Sequence, residues 1–482
     1  MKRSLVFLIM LLIFEESYSQ TKFTLEDCIS YAINNSPSAV IAKSNYNKKL
    51  LNYSAYKSGL YPQLYLRGSI PGLNRSIDEI SQPDGTKLFL PQSQLYSSAS
   101  LSLSQIIPFS GTQINIASGL TRFDVLENSE YSIWRATPFF ISVTQPIFTY
   151  NSYKRTNEIQ DLSAIKYTAE YAEEVENISI TITQKFFDLY IAQMNVKNSE
   201  FNVANGDTLY RLSEGRYSVG KIAENDLLQS ELALLNAKNE LEYAKLDYKR
   251  ASEELKIEMG MSLSSDIEIL PPNSVPFIKI NTDVAVKEAM DNRPKLTDLK
   301  LQKLEAENTL ERVKSENSFN ASIGASFGYN QSAGELNSAY QNFLNQERFD
   351  ISLSIPLYSF GKGSQEIESA MENKRSVEQS IEKQMKNFEI DVKYQALKFD
   401  LLQNQVILAA KADTIASKRF DVAKNRYIIG KIDLNSLFIA QNEKDNAFRN
   451  YIQTLKNYWI AYFDLRKATL YDFEKNKKII TQ

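Results

Sequence analysis

The sequence has no histidine and only one cysteine, Cys28, in 482 residues. Without an imidazole there is no histidine general base, no serine triad and no histidine-ligated metal site. A lone cysteine forms no internal disulfide, and Cys28, at helical spacing from Leu25, Ile29 and Ala32, reads as a small packing residue. Also missing are a phosphate-cradling loop, a glycine-rich dinucleotide turn and a cysteine cluster, so neither cofactor nor metal is expected and an enzyme is not. Carboxylates abound, but they fall on helices dense in lysine and glutamate, where they read as a solvated face. A net charge of −3 argues against nucleic acid as a partner. No Gly/Ser-rich or Pro-rich linker divides the middle of the chain.

What is present is a repeat. The stretch Arg216 to Ala251 returns as Arg426 to Ala461, an offset of 210 (426 less 216), with Arg216, Tyr217, Gly220, Lys221 and Ile222 recurring as Arg426, Tyr427, Gly430, Lys431 and Ile432. Each copy reads as a helix arriving at Arg-Tyr, a glycine that lets the backbone reverse, and a second helix leaving. The segments around Pro146 and Pro356 keep the same offset. Ala32 to Pro37 resembles Ala289 to Pro294 at an offset of 257 (294 less 37), which places 47 extra residues (257 less 210) between Pro62 and Pro146.

Met1-Lys2-Arg3, an apolar run and then Ser17-Tyr18-Ser19 form a secretory signal peptide over 1–19; the apolar core is too short to span a bilayer. The first repeat then covers 20–270, with helices over 24–58, strands over 62–148 and a helical hairpin over 149–260. Thr24 stands as the N-cap before Glu26 and Asp27. The second repeat covers 271–482, with helices over 283–316, strands over 319–358 and a hairpin over 361–475. Proline-free stretches of about 70 residues lead to each Arg-Tyr and predict helices of roughly 100 Å, steadied by coiling against a returning stripe that includes Leu228, Leu232, Leu235, Leu241, Ala244, Tyr248, Ala251 and Leu255.

The strand segments alternate an apolar face with a face of Ser, Gly, Ala and Asn, and no charge occurs between Lys87 and Arg122. Small polar residues suit a water-filled lumen and the apolar face suits lipid. Pro71 to Gln94 and Phe123 to Thr137 are expected to be long outer loops, and Ile107 to Thr112 a short turn. Six strands per chain are therefore favoured, eighteen in a trimer, over four with Leu101 to Leu120 as an extracellular hairpin. Neither number closes a single-chain barrel around a pore, and open strand edges do not survive in lipid, so several copies must share one barrel.

The duplicated strands and long hairpins, the Arg-Tyr-x-x-Gly turn followed by Asp226 and Leu228, and the Gln145-Pro146-Ile147 junction resemble the TolC-like outer-membrane efflux proteins. The resemblance implies an α+β membrane protein: a homotrimeric outer-membrane β-barrel continued by a periplasmic α-helical coiled-coil barrel. It implies a passive channel of a tripartite efflux or type I secretion system, working with a periplasmic adaptor and an inner-membrane pump. Small molecules or proteins would leave through it. Arg216, Tyr217, Gly220, Lys221, Asp226, Arg426, Tyr427, Gly430 and Lys431 would then form the periplasmic tip and gate, and Pro146 and Pro356 the strand-to-helix junctions. Two departures stand out: Ser436 replaces the Asp in the second copy, and the 47-residue insertion exceeds the family's usual strand pair. Ile432 also stands where family members place a gate-closing basic residue, with Lys431 its nearest basic neighbour. A secreted or surface helical scaffold or adhesin is the alternative, and it requires the strands to be soluble.

Overall fold

The computed structural model describes residues 21–126, 131–265, 267–270, 272 and 275–479; the expected signal peptide lies outside the described residues. The order of elements is β1 (Thr21–Phe23), α1 (Leu25–Asn35), α2 (Pro37–Gly59), β2 (Gln63–Ser81), β3 (Lys87–Ile107), β4 (Thr112–Val125), β5 (Tyr131–Ile147), α3 (Ser152–Ser218) and α4 (Glu224–Met259), followed by β6 (Ile267–Ile269), α5 (Thr282–Asn292), α6 (Pro294–Glu316), β7 (Asn320–Ala333), α7 (Leu336–Ala339), β8 (Leu344–Ser354), α8 (Lys362–Ile428) and α9 (Leu434–Thr469). A short hairpin of β9 (Tyr471–Asp472) and β10 (Lys477–Lys478) follows. Adding 257 to the bounds of α1 and α2 gives those of α5 and α6, and adding 210 to those of α3 and α4 gives those of α8 and α9, residue for residue. Even the exits of α4 and α9 correspond: Gly260 and Leu470 both adopt left-handed φ, 77° and 48°.

The chain divides into two compact units. Of the described residues, the first takes those within 21–47, 167–296 and 385–479. Its core gathers Phe186 and Phe187 of α3, Leu255 and Met259 of α4, Phe399 of α8 and Tyr458 of α9 around the parallel pair β1 and β6. Thr24 caps α1 through a capping box with Asp27, as expected. Cys28 is fully buried, and desolvation, then the neighbouring Asp27 charge, push its thiol up to about 12, which suits a packing role.

The second unit comprises 48–166 and 297–384. It holds one antiparallel sheet in the order β2-β3-β4-β5-β7-β8, with β2 and β8 as its edges. Directly opposite residues share a face. Leu64, Leu103, Ile116, Ile141 and Phe327 form one apolar row, while Ser104, Asn115, Ser142 and Ser326 line the opposite face.

Several expectations need correction. Pro71 to Gln94 is largely strand, with only 82–86 between β2 and β3; likewise β4 runs on to Val125 and β5 begins at Tyr131. Polar residues hid these extensions, because cross-strand pairing holds a ribbon even where alternation fades. Pro71 is tolerated because it sits at the register break between Ser69 and Gly72. Leu101 and Leu120 lie within β3 and β4, paired on both sides, not in a separate hairpin. The second hairpin stops at Thr469, so 470–475 are not helical. The stripe on α4 is only half right. Leu228, Leu232 and Leu235 are more than half exposed, whereas Ser230, Leu234, Ala244 and Leu255 are buried. Small residues let neighbouring helices approach, so the packed seam lies partly beside the leucine stripe. The strands β1 and β6 and the helix α7 were too short for periodicity to reveal.

Candidate functional site at the hairpin turns

Two turns of the same construction join α3 to α4 and α8 to α9. In the first, the Gly220 amide donates to the Tyr217 carbonyl at 2.9 Å and the Lys221 amide to the Arg216 carbonyl at 2.8 Å. In the second, Gly430 donates to Tyr427 at 2.8 Å and Lys431 to Arg426 at 2.9 Å. These nested bonds satisfy the last helical carbonyls and require a left-handed residue, which Gly220 and Gly430 supply with φ of 68° and 73°. A side chain at either glycine would meet open space, so backbone conformation alone selects glycine there.

The two turns meet within the protomer. The Arg216 guanidinium donates from Nη2 to the carbonyls of Tyr427 and Ile428, both at 3.2 Å, and lies 5.2 Å from the centre of the Tyr427 ring. A cation from the first copy thus caps the carbonyl end of α8 in the second, where the helix dipole favours it. Tyr427 is 5% exposed and Tyr217 43%. The copies are therefore not equivalent: one tyrosine is packed and the other faces out. Tyr427 lies in a small apolar cluster with Leu209, Phe420, Leu434, Leu437 and Ala440, against which Ile432 also packs. The position expected to carry a basic gate residue is thus an apolar anchor turned toward its own protomer. Lys221, Arg426 and Lys431 are exposed.

The helix starts differ too. Asp226 is half-buried in the first turn of α4, whose N-cap, Ala223, has no side chain to offer. In α9 the N-cap is Asp433, which accepts the Ser436 amide at 2.7 Å. The acid missing at Ser436 has in effect moved three residues upstream. Sequence reasoning missed Asp433 by looking only at the aligned column; an Asp directly before the apolar Leu434 is itself a capping signal. Bonds from Ser436 hold the Asp433 carboxyl below its usual range. A depressed carboxylate stabilises the fold above its unfolded value and loses that contribution as pH falls through the folded one. Asp433→Ala is accordingly expected to lower the Tm followed by circular dichroism at neutral pH. The gap to wild type should narrow as pH falls from about 4, the ordinary carboxyl value, through the lowered folded one. A gap unchanged with pH would refute the cap.

At the junctions, Pro146 lies one residue before the end of β5, opposite Ser322. Beside it Gln145 donates to the Ser110 carbonyl at 3.1 Å, and Asn151 Nδ2 donates to the Pro108 and Phe109 carbonyls at 2.9 and 3.0 Å, tying down the β3–β4 turn. Pro356 follows β8 and is exposed. Each junction then bends through a left-handed phenylalanine, Phe148 with φ 59° and Phe360 with φ 50°. Among the described residues no three Cys, Asp or Glu side chains gather to hold a metal, and no helix is long and apolar enough to cross a membrane.

The sequence matches no protein-family model and no curated protein. The structure does resemble solved ones. The Campylobacter jejuni CmeC outer membrane channel aligns with a TM-score of 0.66 at 16% identity, over 92% of this chain and 85% of that one. VceC, an outer membrane protein of Vibrio cholerae, aligns with 0.64 at 14%, over 92% and 95%. The open state of the Neisseria gonorrhoeae MtrE outer membrane channel aligns with 0.61 at 13%, over 95% and 90%. With more than nine tenths of the chain covered in each comparison, the chain has the fold of the TolC-like outer-membrane channels.

Proposed function

We propose that the chain is one subunit of a homotrimeric outer-membrane export channel, a passive conduit that catalyses nothing. The sheet carries this reading. Among the described residues its two edge strands are each paired on one side only, and its apolar face is bare, with Leu64, Leu66, Ile70, Ile351 and Leu353 all more than half exposed. A bare apolar sheet face suits lipid, and open edges are tolerated in lipid only once other copies close them. Six strands from each of three copies give an eighteen-stranded barrel, wide enough for an aqueous lumen, and the Ser, Gly and Asn face lines it. The helices support the same assembly. Tyr394, Leu401, Leu408, Ile415 and Val422 recur every seven residues along α8 and are all more than half exposed, as are Leu228, Leu232, Leu235 and Leu246 on α4. Unpaired apolar heptad seams of this kind are what a coiled-coil barrel buries between subunits.

The two halves descend from a duplication, which the matched helix bounds support, and β3 and β4 occupy the inserted segment. The hairpin turns form the periplasmic tip, where an adaptor and an inner-membrane pump of a tripartite efflux or type I secretion system engage. Small molecules or proteins enter there and leave at the cell exterior. Two measurements test the reading. Cross-linking in membranes should stop at three subunits, and purified protein in planar bilayers should give discrete, steady conductance without nucleotide. A stable monomer, or membranes that stay electrically silent, would overturn it.

A further inference from the structure

Resting on the trimeric reading above, we infer the register in which one subunit's β8 pairs with the next subunit's β2. Inside the chain, β5 pairs antiparallel with β7 as Ile147↔Ala321, Pro146↔Ser322, Gln145↔Ile323, Thr144↔Gly324, Val143↔Ala325, Ser142↔Ser326 and Ile141↔Phe327. By the offsets that relate the two halves, β5 and the residues after it correspond to β8 and its continuation at 210, and β7 corresponds to β2 at 257. The same junction between repeats recurs where the last strand of one subunit meets the first strand of the next. Transposing the observed pairs gives Leu357↔Leu64, Pro356↔Tyr65, Ile355↔Leu66, Ser354↔Arg67, Leu353↔Gly68, Ser352↔Ser69 and Ile351↔Ile70.

Side-chain chemistry checks this register independently of the offsets. In it Leu357, Ile355 and Ile351 stand opposite Leu64, Leu66 and Ile70, all on the face that carries the apolar row. Ser354 and Ser352 stand opposite Arg67 and Ser69 on the small polar face. A slip of one residue in either direction exchanges the faces and sets Leu66 against Ser354 or Pro356, which lipid on one side and water on the other forbid. The residues concerned are among the most exposed apolar side chains of the protein: Leu357 is 90% exposed, Ile70 82% and Leu66 79%. The register also explains why 355–357 has no strand partner among the described residues of the chain, although the corresponding 145–147 pairs with β7. Its partner is β2 of a second copy. Intramolecular closure of β8 onto β2 is excluded on size, since six strands leave no room for their own interior side chains.

Cysteine pairs test the register, and buried Cys28 leaves the background clean. Ser69→Cys with Ser352→Cys and Gly68→Cys with Leu353→Cys place thiols directly opposite on adjacent pairs, so that one is a hydrogen-bonded pair and the other is not. Ser69→Cys with Ser354→Cys and Ser69→Cys with Asp350→Cys are slipped by two residues. Ser142→Cys with Ser326→Cys, opposite within the chain, verifies that oxidation works in this sheet. After oxidation in membranes, at least one in-register pair should give about tenfold more covalent dimer and trimer on a non-reducing gel than the slipped pairs, because opposite Cβ atoms are about 5 Å apart and diagonal ones about 7 Å. Equal or stronger linking of a slipped pair overturns the register. So does an in-register disulfide formed within one chain, or neither in-register pair linking in particles that are still trimers by size. If wild-type particles are not trimers, the trimeric reading fails and the register with it.

Discussion

Arg216→Ala is expected to raise single-channel conductance severalfold and to leave trimer yield unchanged. The guanidinium joins the two hairpin turns of the chain, through the Tyr427 and Ile428 carbonyls and the Tyr427 ring. A hydrogen bond to a charged group contributes about 1.5–3 kcal/mol, and partial exposure brings this down to about 1 kcal/mol. In the proposed trimer, three symmetry copies would then bias a closed tip by about 3 kcal/mol, roughly a hundredfold in the closed-to-open ratio. Losing that bias moves a mostly closed population toward open. Arg216→Lys should behave almost as alanine does, since an ammonium lacks the planar fork that reaches two carbonyls and stacks on the ring. Tyr427→Phe should change little, because it keeps the packed ring on which Arg216 rests. Paired with it, Asp226→Ala reports whether this half-buried residue in the first turn of α4 contributes across the proposed subunit boundary. Conductance of Arg216→Ala equal to wild type in planar bilayers would show that the turns are held by packing alone.

The second large effect is on stability. Arg466 of α9 lies between two buried carboxylates, with Nη2 2.9 Å from Glu176 Oε1 and Nη1 3.5 Å from Asp472 Oδ2. The Glu176 side chain is 2% exposed and that of Asp472 4%. Arg466→Met would leave two buried carboxylates facing one another without a cation, and breaking such a network costs about 3–5 kcal/mol. Glu176→Gln should cost much less, because Arg466 keeps Asp472. Burial, working against the Arg466 charge, raises the Glu176 pKa. A carboxyl raised in the folded state supports folding fully below its unfolded pKa and loses that support as pH rises through the folded one. Wild type should therefore lose ground to Glu176→Gln between about pH 4 and neutrality. Denaturant unfolding at both ends of that range measures both effects. An Arg466→Met midpoint within error of wild type would mean that water reaches the carboxylates.

Local chemistry made much of the architecture readable before any coordinates. The change of period from two to 3.6 located the sheet strands and all the long helices, since each period follows from backbone geometry alone. The two offsets, 210 and 257, already implied the matched helices, and Thr24 and the two Arg-Tyr-x-x-Gly turns are cap signals whose partners lie within a few residues. Asp433 is an equally local cap signal, its bond reaching only to Ser436 three residues on. What depended on distant segments was beyond reach. How far β2 and β3 continue past Pro71 is decided by cross-strand hydrogen bonds, which leave no alternation when both faces are wet. Which stripe of α4 packs was settled by neighbouring helices that accept Ser230 and Ala244 at close approach and leave Leu228, Leu232 and Leu235 outside. Arg216 finds its carbonyls more than two hundred residues away, and Ile432 turns into a cluster assembled from α3, α8 and α9. The sequence by itself determined the elements, their order and their repetition, because those obey interactions a few residues long. Only the tertiary structure decided which faces meet, because packing selects among stripes that are equally apolar in sequence.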